Sequence, residues 1–199
     1  MLAAIDDSPL AENTIVIYTS DHGEMGGHHG IWQKQCFYES AVRVPLIMRG
    51  PGIPTARRIR TNVSLVDVMP TLLELAGIEA PPGLAGQSVL AYMDGDEDEN
   101  RAVFSEYHCQ GMLNAGFMLK KGDCRYNFYV GHRPELYNVG KEPEEFTDLA
   151  NDSTYEPIIR DLHQELLCVV GDPEAVDRKA KENQAVGGMA RAYSGRGNP

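Results

Sequence analysis

The feature that most constrains this chain is a junction. The apolar run TIVIYT, Thr14 to Thr19, reads as a buried strand. It leads at once into TSDHGEMGGHHGIWQK, Thr19 to Lys34, which holds three histidines, four glycines and a lysine. A strand fixes the root of a loop, and glycines let the loop turn sharply and approach a ligand closely. In α/β sheets, ligands sit beyond the carboxyl ends of strands. Asp21 and His22 leave the strand at that point. A carboxylate beside an imidazole offers two ligands to one divalent cation. Oxygen-rich sets with few nitrogens suit calcium, magnesium or manganese, and added histidines suit zinc. Lys34 is a point cation able to reach an anionic oxygen. The loop can therefore hold both a metal and an anion. The plain alternatives are a turn capped by Asp21 and His22, a solvated Lys34, and His28 and His29 as ordinary loop histidines. Trp32 reads as a packing anchor.

The rest of the chain supports an α/β layer followed by a β-rich segment. Met1 to Ile5 reads as the end of a helix, and Asp6 and Asp7 after it argue against a signal peptide. Phe37 to Val42 suits a short helix or turn. Val44 to Met48 is a second apolar strand, ended by Gly50-Pro51-Gly52. Asp67 to Ala76 reads as a helix with Asp67 as N-cap, Pro70 in the first turn and Gly77 as stop. Val68, Leu72 and Leu75 would form its core face. Strand, loop, strand and helix in this order suggest an α/β layer. Residues 94–100 form an acidic run whose glycine and closing Glu do not fit an EF-hand, so it reads as a solvated linker. Beyond it, Ala102 to Tyr107, Ala115 to Lys120, Arg125 to Val130 and Glu135 to Val139 read as an antiparallel meander, with Gly122-Asp123 as a hairpin turn. Ile159, Leu162, Leu166 and Leu167 give Ile158 to Val170 a helical apolar stripe, suited to cover one face of that sheet. The polar residues after Gly171 read as an arm or disordered tail.

Net charge of −11 and a pI near 4.9 argue against nucleic-acid binding, which needs a basic footprint. An anionic substrate would have to be drawn by a local cation. No apolar run approaches the roughly 18 residues of a membrane span. Cys36, Cys109, Cys124 and Cys168 show no CxxC or zinc spacing, so they read as free thiols, leaning weakly toward a cytoplasmic setting. Asn62-Val63-Ser64 and Asn151-Asp152-Ser153 match the glycosylation pattern, which is too short to carry weight.

Three segments in order carry a resemblance. NTIVIYTSDHGEMGGHHGIWQKQCFYESAVRVPLIMRGPG, SLVDVMPTLLELAGI and ELYNVGKEPEEFTDLAND closely resemble the sulfatase family of the alkaline phosphatase superfamily, over about Ala11 to Asn151. FSEYHCQGMLNAGFMLKKGDCRYNFY is similar to its choline-sulfatase-like and phosphonate monoester hydrolase-like branches. The resemblance implies the C-terminal part of an alkaline-phosphatase-like α/β sandwich, followed by a small four-stranded antiparallel sheet with a covering helix. The domain reading is a core over 1–93 with its metal and anion loop at 19–34. A linker at 94–100, the small sheet and helix at 101–171, and a tail at 172–199 follow.

The resemblance also implies roles. Asp21 and His22 would ligate a divalent metal, Ca2+ first, with Mn2+ or Mg2+ as alternatives. Lys34, thirteen residues after Asp21, would hold sulfate oxygens, and His29 would take a substrate-side role. Gly23 would be the tight-turn residue. His108 and His132 are candidates for a pocket rim, with core or surface roles as the plain alternative. In the family a formylglycine, made from the first residue of Cys/Ser-x-Pro/Ala-x-Arg, is hydrated and attacks sulfur, and a histidine protonates the leaving alcohol. No cysteine or serine here opens that motif, and the paired aspartates that follow the family's first strand and complete the metal site are also absent. The expectation is therefore a sulfuric ester hydrolase fragment, inactive without an N-terminal half bearing the formylglycine. Its partners would be a sulfate-ester small molecule and either that half or further copies of itself, with no nucleic acid and no membrane. Two alternatives stand: phosphonate or phosphate ester hydrolysis on the same scaffold, and a non-catalytic remnant or oligomerisation module.

Overall fold

The computed structural model describes residues 2–95, 97–108 and 112–194. Cys109, Asp96 within the acidic run, and the last five residues of the expected tail lie outside the described residues. The chain divides into two compact units, one running to Arg101 and one from Ala102.

In the first unit, helix α1 (Leu2–Asp6) precedes strand β1 (Val16–Thr19). Helix α2 (Glu39–Val42) leads to strand β2 (Leu46–Arg49), and helices α3 (Val68–Leu75) and α4 (Leu90–Met93) follow. β1 and β2 pair antiparallel, with Tyr18 opposite Ile47 and Thr19 opposite Leu46. Side chains alternate across a strand. Ile17, Leu46 and Met48 accordingly meet Val68, Thr71 and Val89 around one small void. Tyr18 and Ile47 face outward, 63% and 60% exposed.

The start of α3 is organised differently from the sequence expectation. Asp67 is the residue before α3, as expected, but its side chain does not cap that helix; Ser64 and Asp67 instead form a capping box around a 3-10 turn at Leu65–Asp67. The Asp67 carboxylate is fully buried and accepts the N–H groups of Ser64 (2.7 Å) and Gln87 (3.0 Å) and the Arg101 guanidinium (2.8 Å). A buried carboxylate needs such partners. The expected core stripe also shifts. Pro70 and Thr71 are the buried residues of α3, and Leu72 is 48% exposed. Thr71 Oγ1 donates to the Asp67 carbonyl and accepts the Val89 N–H, so a polar residue serves the core by bonding two backbone groups. The acidic run stays exposed but is tethered. Glu97 accepts the Arg60 N–H at 2.8 Å, Asp98 N–H donates to Thr61 Oγ1 at 2.8 Å, and Arg101 donates to the Asn62 carbonyl at 2.8 Å.

The second unit is the four-stranded antiparallel meander with its helix. Strands β3 (Ala102–Tyr107), β4 (Gly116–Lys121), β5 (Cys124–Tyr129) and β6 (Glu135–Asn138) pair in chain order. Helix α5 (Glu156–Val170) lays Leu162 and Leu166 on Phe117, Leu119, Tyr126 and Leu136. Burying one such leucine contributes about 1.5–3 kcal/mol. The opposite face is buried too: Met118, Arg125, Asn127 and Tyr137 are all at most 5% exposed. The expected polar tail is instead helix α6 (Pro173–Ser194). Its alanine, glutamate, lysine and arginine content favours helix without needing a strong apolar stripe. Asp172 accepts the Ala175 N–H at 3.0 Å at its start, and Asp177 accepts the Ala115 N–H at 2.7 Å, joining the helix to β4's approach. No helix among the described residues is long and apolar enough to cross a membrane.

Candidate functional site

The loop after β1 is built by backbone bonds rather than by packing. Met25 N–H donates to the Gln33 carbonyl and Gly27 N–H to the Ile31 carbonyl, both at 3.0 Å. These close a narrow finger whose tip is a 3-10 turn at His28–Gly30. Met25, 3% exposed, anchors one leg. The other returns through Gln33, whose φ of 72° lies in the left-handed region, and delivers Lys34.

Gly23 is needed for close approach. Its N–H donates to the Ala41 carbonyl at 2.8 Å, and a Cβ there would run into the Ser40 carbonyl oxygen. Its backbone is not in the left-handed region. The expected tight-turn role is thus a clasp onto α2, which only a residue without a side chain permits.

Asp21, His22 and Lys34 come together. His22 N–H donates to Asp21 Oδ1 at 3.0 Å, and His22 Nε2 lies 3.4 Å from Asp21 Oδ2. Lys34 Nζ lies 2.5 Å from His22 Nε2, and His22 Nδ1 lies 2.7 Å from the Gly23 carbonyl oxygen. Ser20 Oγ donates to the His22 carbonyl at 2.9 Å. Asp21 is open to solvent at 84% side-chain exposure. Its carboxyl is held below the ordinary carboxylate value. Desolvation acts to raise it, but the adjacent His22 and the hydrogen bonds from backbone and Ser20 outweigh that.

His29 sits elsewhere in the finger, stacked on Tyr38 with ring centroids 4.1 Å apart and 11° between planes. His28 lies 3.2 Å from Ser40 Oγ through Nδ1. Trp32 is 74% exposed, so it does not act as the expected packing anchor. Its ring lies near Gly27. In the second unit, the His108 ring tilts against Phe117 at 5.2 Å, with Nε2 3.2 Å from Glu106, and His132 Nε2 lies 3.3 Å from Asn114. A groove of about 480 Å³ lies at the C-terminal end of α3, lined by Glu74, Ile78, Leu84 and Gln87, and none of Asp21, His22 and Lys34 lines it. Sequence reasoning missed Met25, Gln33 and the Ser40–Ala41 carbonyls that shape the finger. An apolar Met inside a polar loop was the one available signal.

Asp21 presents an open carboxylate. The Gly23 carbonyl can only accept a hydrogen bond, so His22 carries its ring hydrogen on Nδ1 and offers a lone pair at Nε2. That second-sphere bond is the usual way a ligand histidine is oriented. The pair fits a divalent cation as two ligands. No group of three metal-type side chains occurs among the described residues.

Residues 27–171 match the family described as N-sulphoglucosamine sulphohydrolase, C-terminal. The chain belongs to the sulfatase family. Arylsulfatase K of Mus musculus is 35% identical over 185 residues, which is 87% of this chain and 33% of the relative. Among solved structures, a 2-O GAG sulfatase is 30% identical with a TM-score of 0.73, covering 93% of this chain and 40% of that one. The phosphonate monoester hydrolase of Agrobacterium radiobacter is 27% identical with a TM-score of 0.73, covering 85% and 37%. This sulfatase chain thus spans about a third of the length of the curated relatives it matches.

Proposed function

We propose that the protein carrying this domain hydrolyses sulfate esters of small molecules, and that this chain contributes two metal ligands and one anion-binding cation. The observation that carries the reading is the contact chain from Asp21 through His22 Nε2 to Lys34 at the end of β1. Asp21 and His22 would hold the divalent metal, Ca2+ first and Mn2+ or Mg2+ next. Such an ion withdraws charge from a sulfuryl oxygen. Lys34 would bind a second sulfuryl oxygen, placing a fixed positive charge where negative charge develops. His29 would act on the substrate side of the finger. No residue of this chain fits a formylglycine, because none opens the required motif. The chain alone is expected to be inactive. It requires a segment that brings the nucleophile and the remaining ligands.

Phosphonate monoester hydrolysis is the second reading, favoured by the likeness to phosphonate monoester hydrolases from Agrobacterium radiobacter and Silicibacter pomeroyi, at 27% and 25% identity. Both substrates are tetrahedral anions suited to the same metal and lysine. The deciding experiment compares aryl sulfate with phosphonate monoester turnover by the protein that joins this domain to a formylglycine-bearing segment. Higher kcat/KM on the sulfate is expected. Preference for the phosphonate would overturn the first reading, and turnover by the 199-residue chain alone would overturn the claim that it is incomplete.

A further inference from the structure

The Nε2 atom of His22 is claimed twice. Because Nδ1 faces the Gly23 carbonyl, Nε2 carries a single lone pair. The Lys34 ammonium stands 2.5 Å from it and donates into it. The same lone pair would ligate a metal held beside Asp21, whose Oδ2 is 3.4 Å away. One lone pair accepts one partner, either an N–H donor or a divalent cation.

We propose that Lys34 and the metal are mutually exclusive occupants of His22 Nε2, so that metal binding lifts the ammonium off the imidazole and turns it toward the anion. The inference rests on the metal reading above and adds an order of events to it. Before metal arrives, Lys34 acts as an internal counter-cation for the Asp21–His22 pair. Once the metal takes over that charge, the ammonium is free for a sulfuryl oxygen.

The backbone permits such a release. Lys34 leaves the finger at its closed base, where the Gln33 carbonyl is fixed by the Met25 N–H. Its own N–H donates to Gln35 Oε1 at 3.2 Å, and its carbonyl accepts the Cys36 N–H at 2.8 Å. The side chain is exposed, so the ammonium can swing by rotamer change alone, with no bond in the loop broken. The linkage is reciprocal: whatever draws Lys34 away from His22 tightens metal binding, and metal makes Lys34 available.

The test uses the protein that joins this domain to the segment bringing the remaining ligands, and its K34M variant, with Mn2+ as probe. Free Mn2+ is followed by electron paramagnetic resonance. The half-saturating concentration is expected to fall about tenfold in K34M, the scale of a lost hydrogen bond to a charged group. Removing a nearby positive charge would by itself raise cation affinity, so a second readout is needed. The ring 15N spectrum of His22 should show an Nε2 that accepts a hydrogen bond in the parent and a bare lone pair in K34M. Saturating Ca2+ should then bring the two spectra together. Equal Mn2+ affinity in the two proteins, or identical His22 ring spectra without metal, would overturn the competition while leaving the metal reading intact. Mn2+ uptake by neither protein would overturn the metal reading itself, and the inference with it.

Discussion

Arg125 on β5 and Glu145 form an ion pair whose two side chains are wholly enclosed, on the face of the second sheet opposite α5. The Tyr137 ring lies 5.4 Å from the guanidinium carbon. Truncating one partner strands a buried charge, whereas replacing both with apolar groups removes the desolvation cost of each. Glu145→Ala should cost about 3–5 kcal/mol, while a double change of Arg125→Met with Glu145→Leu should be close to neutral. Urea unfolding of both variants checks this. A single variant as stable as the parent would show that the pair does not organise this face.

The stability of the second unit should depend on pH through Asp177. Its carboxyl is held below the ordinary value near 3.8, chiefly by the hydrogen bond from Lys181. The Ala115 N–H and the charges of Lys181 and His108 act in the same direction, while desolvation opposes them. A depressed folded-state value means the carboxylate stabilises the fold above the unfolded value, and the contribution disappears as pH falls through the folded one. The urea midpoint should therefore drop on acidification below about pH 4, and Asp177→Asn should be less stable at neutral pH with a flatter acid limb. Equal acid limbs would mean the Asp177 contact carries no net stabilisation.

Much of this architecture was legible from local pattern. The meander was readable because β-branched and aromatic runs alternate with turn signals, and α5 because Leu162 and Leu166 recur at helical spacing. The Asp21–His22–Lys34 grouping followed from a strand feeding a glycine-rich loop. The parts that were not legible depend on long-range partners. The Asp67 side chain looks like a cap in sequence, but its partners include Gln87 and Arg101, which no local window contains. Burial of Arg125 and Asn127 runs against composition and depends on a glutamate about twenty residues on and on cross-strand neighbours. The α6 helix is hard to read because its apolar stripe is weak; Asp177 on the Ala115 N–H, Lys181 on Asn114 and Val176 against the core tie it to the sheet.

The outer face of β1 and β2 predicts association. Tyr18 and Ile47 lie directly opposite each other, both mostly exposed, and Leu65, Met69 and Leu72 form a second exposed apolar row at helical spacing. Exposed contiguous apolar surface marks an interaction site or an aggregation hazard. The 199-residue chain should sediment as more than a monomer at micromolar concentration, and Ile47→Lys should shift it toward monomer without loss of helix or sheet signal. A parent chain that stays monomeric would show that this face needs no cover.

The last prediction concerns what holds the Asp21–His22 pair in place. Gly23 joins the strand end to α2 through its N–H on the Ala41 carbonyl, and its carbonyl fixes the His22 ring through Nδ1. A Cβ at this position meets the Ser40 carbonyl, a backbone atom that cannot rotate out of the way. Gly23→Ala should therefore open the clasp, at a cost of about 1–3 kcal/mol typical of overpacking. Both the His22 ring and the Asp21 carboxylate would then lose their alignment. Gly26 provides the contrast: its φ is 57°, yet nothing lies within 4 Å of a Cβ built there. Asn tolerates that backbone region, so Gly26→Asn should leave the fold nearly unchanged. Urea midpoints and Mn2+ titrations on both variants separate the two ideas. Loss of stability and of metal uptake in Gly23→Ala, with neither in Gly26→Asn, is the expected pattern. Mn2+ uptake unchanged in Gly23→Ala would mean that β1 alone positions the pair and that the clasp to α2 serves only the fold.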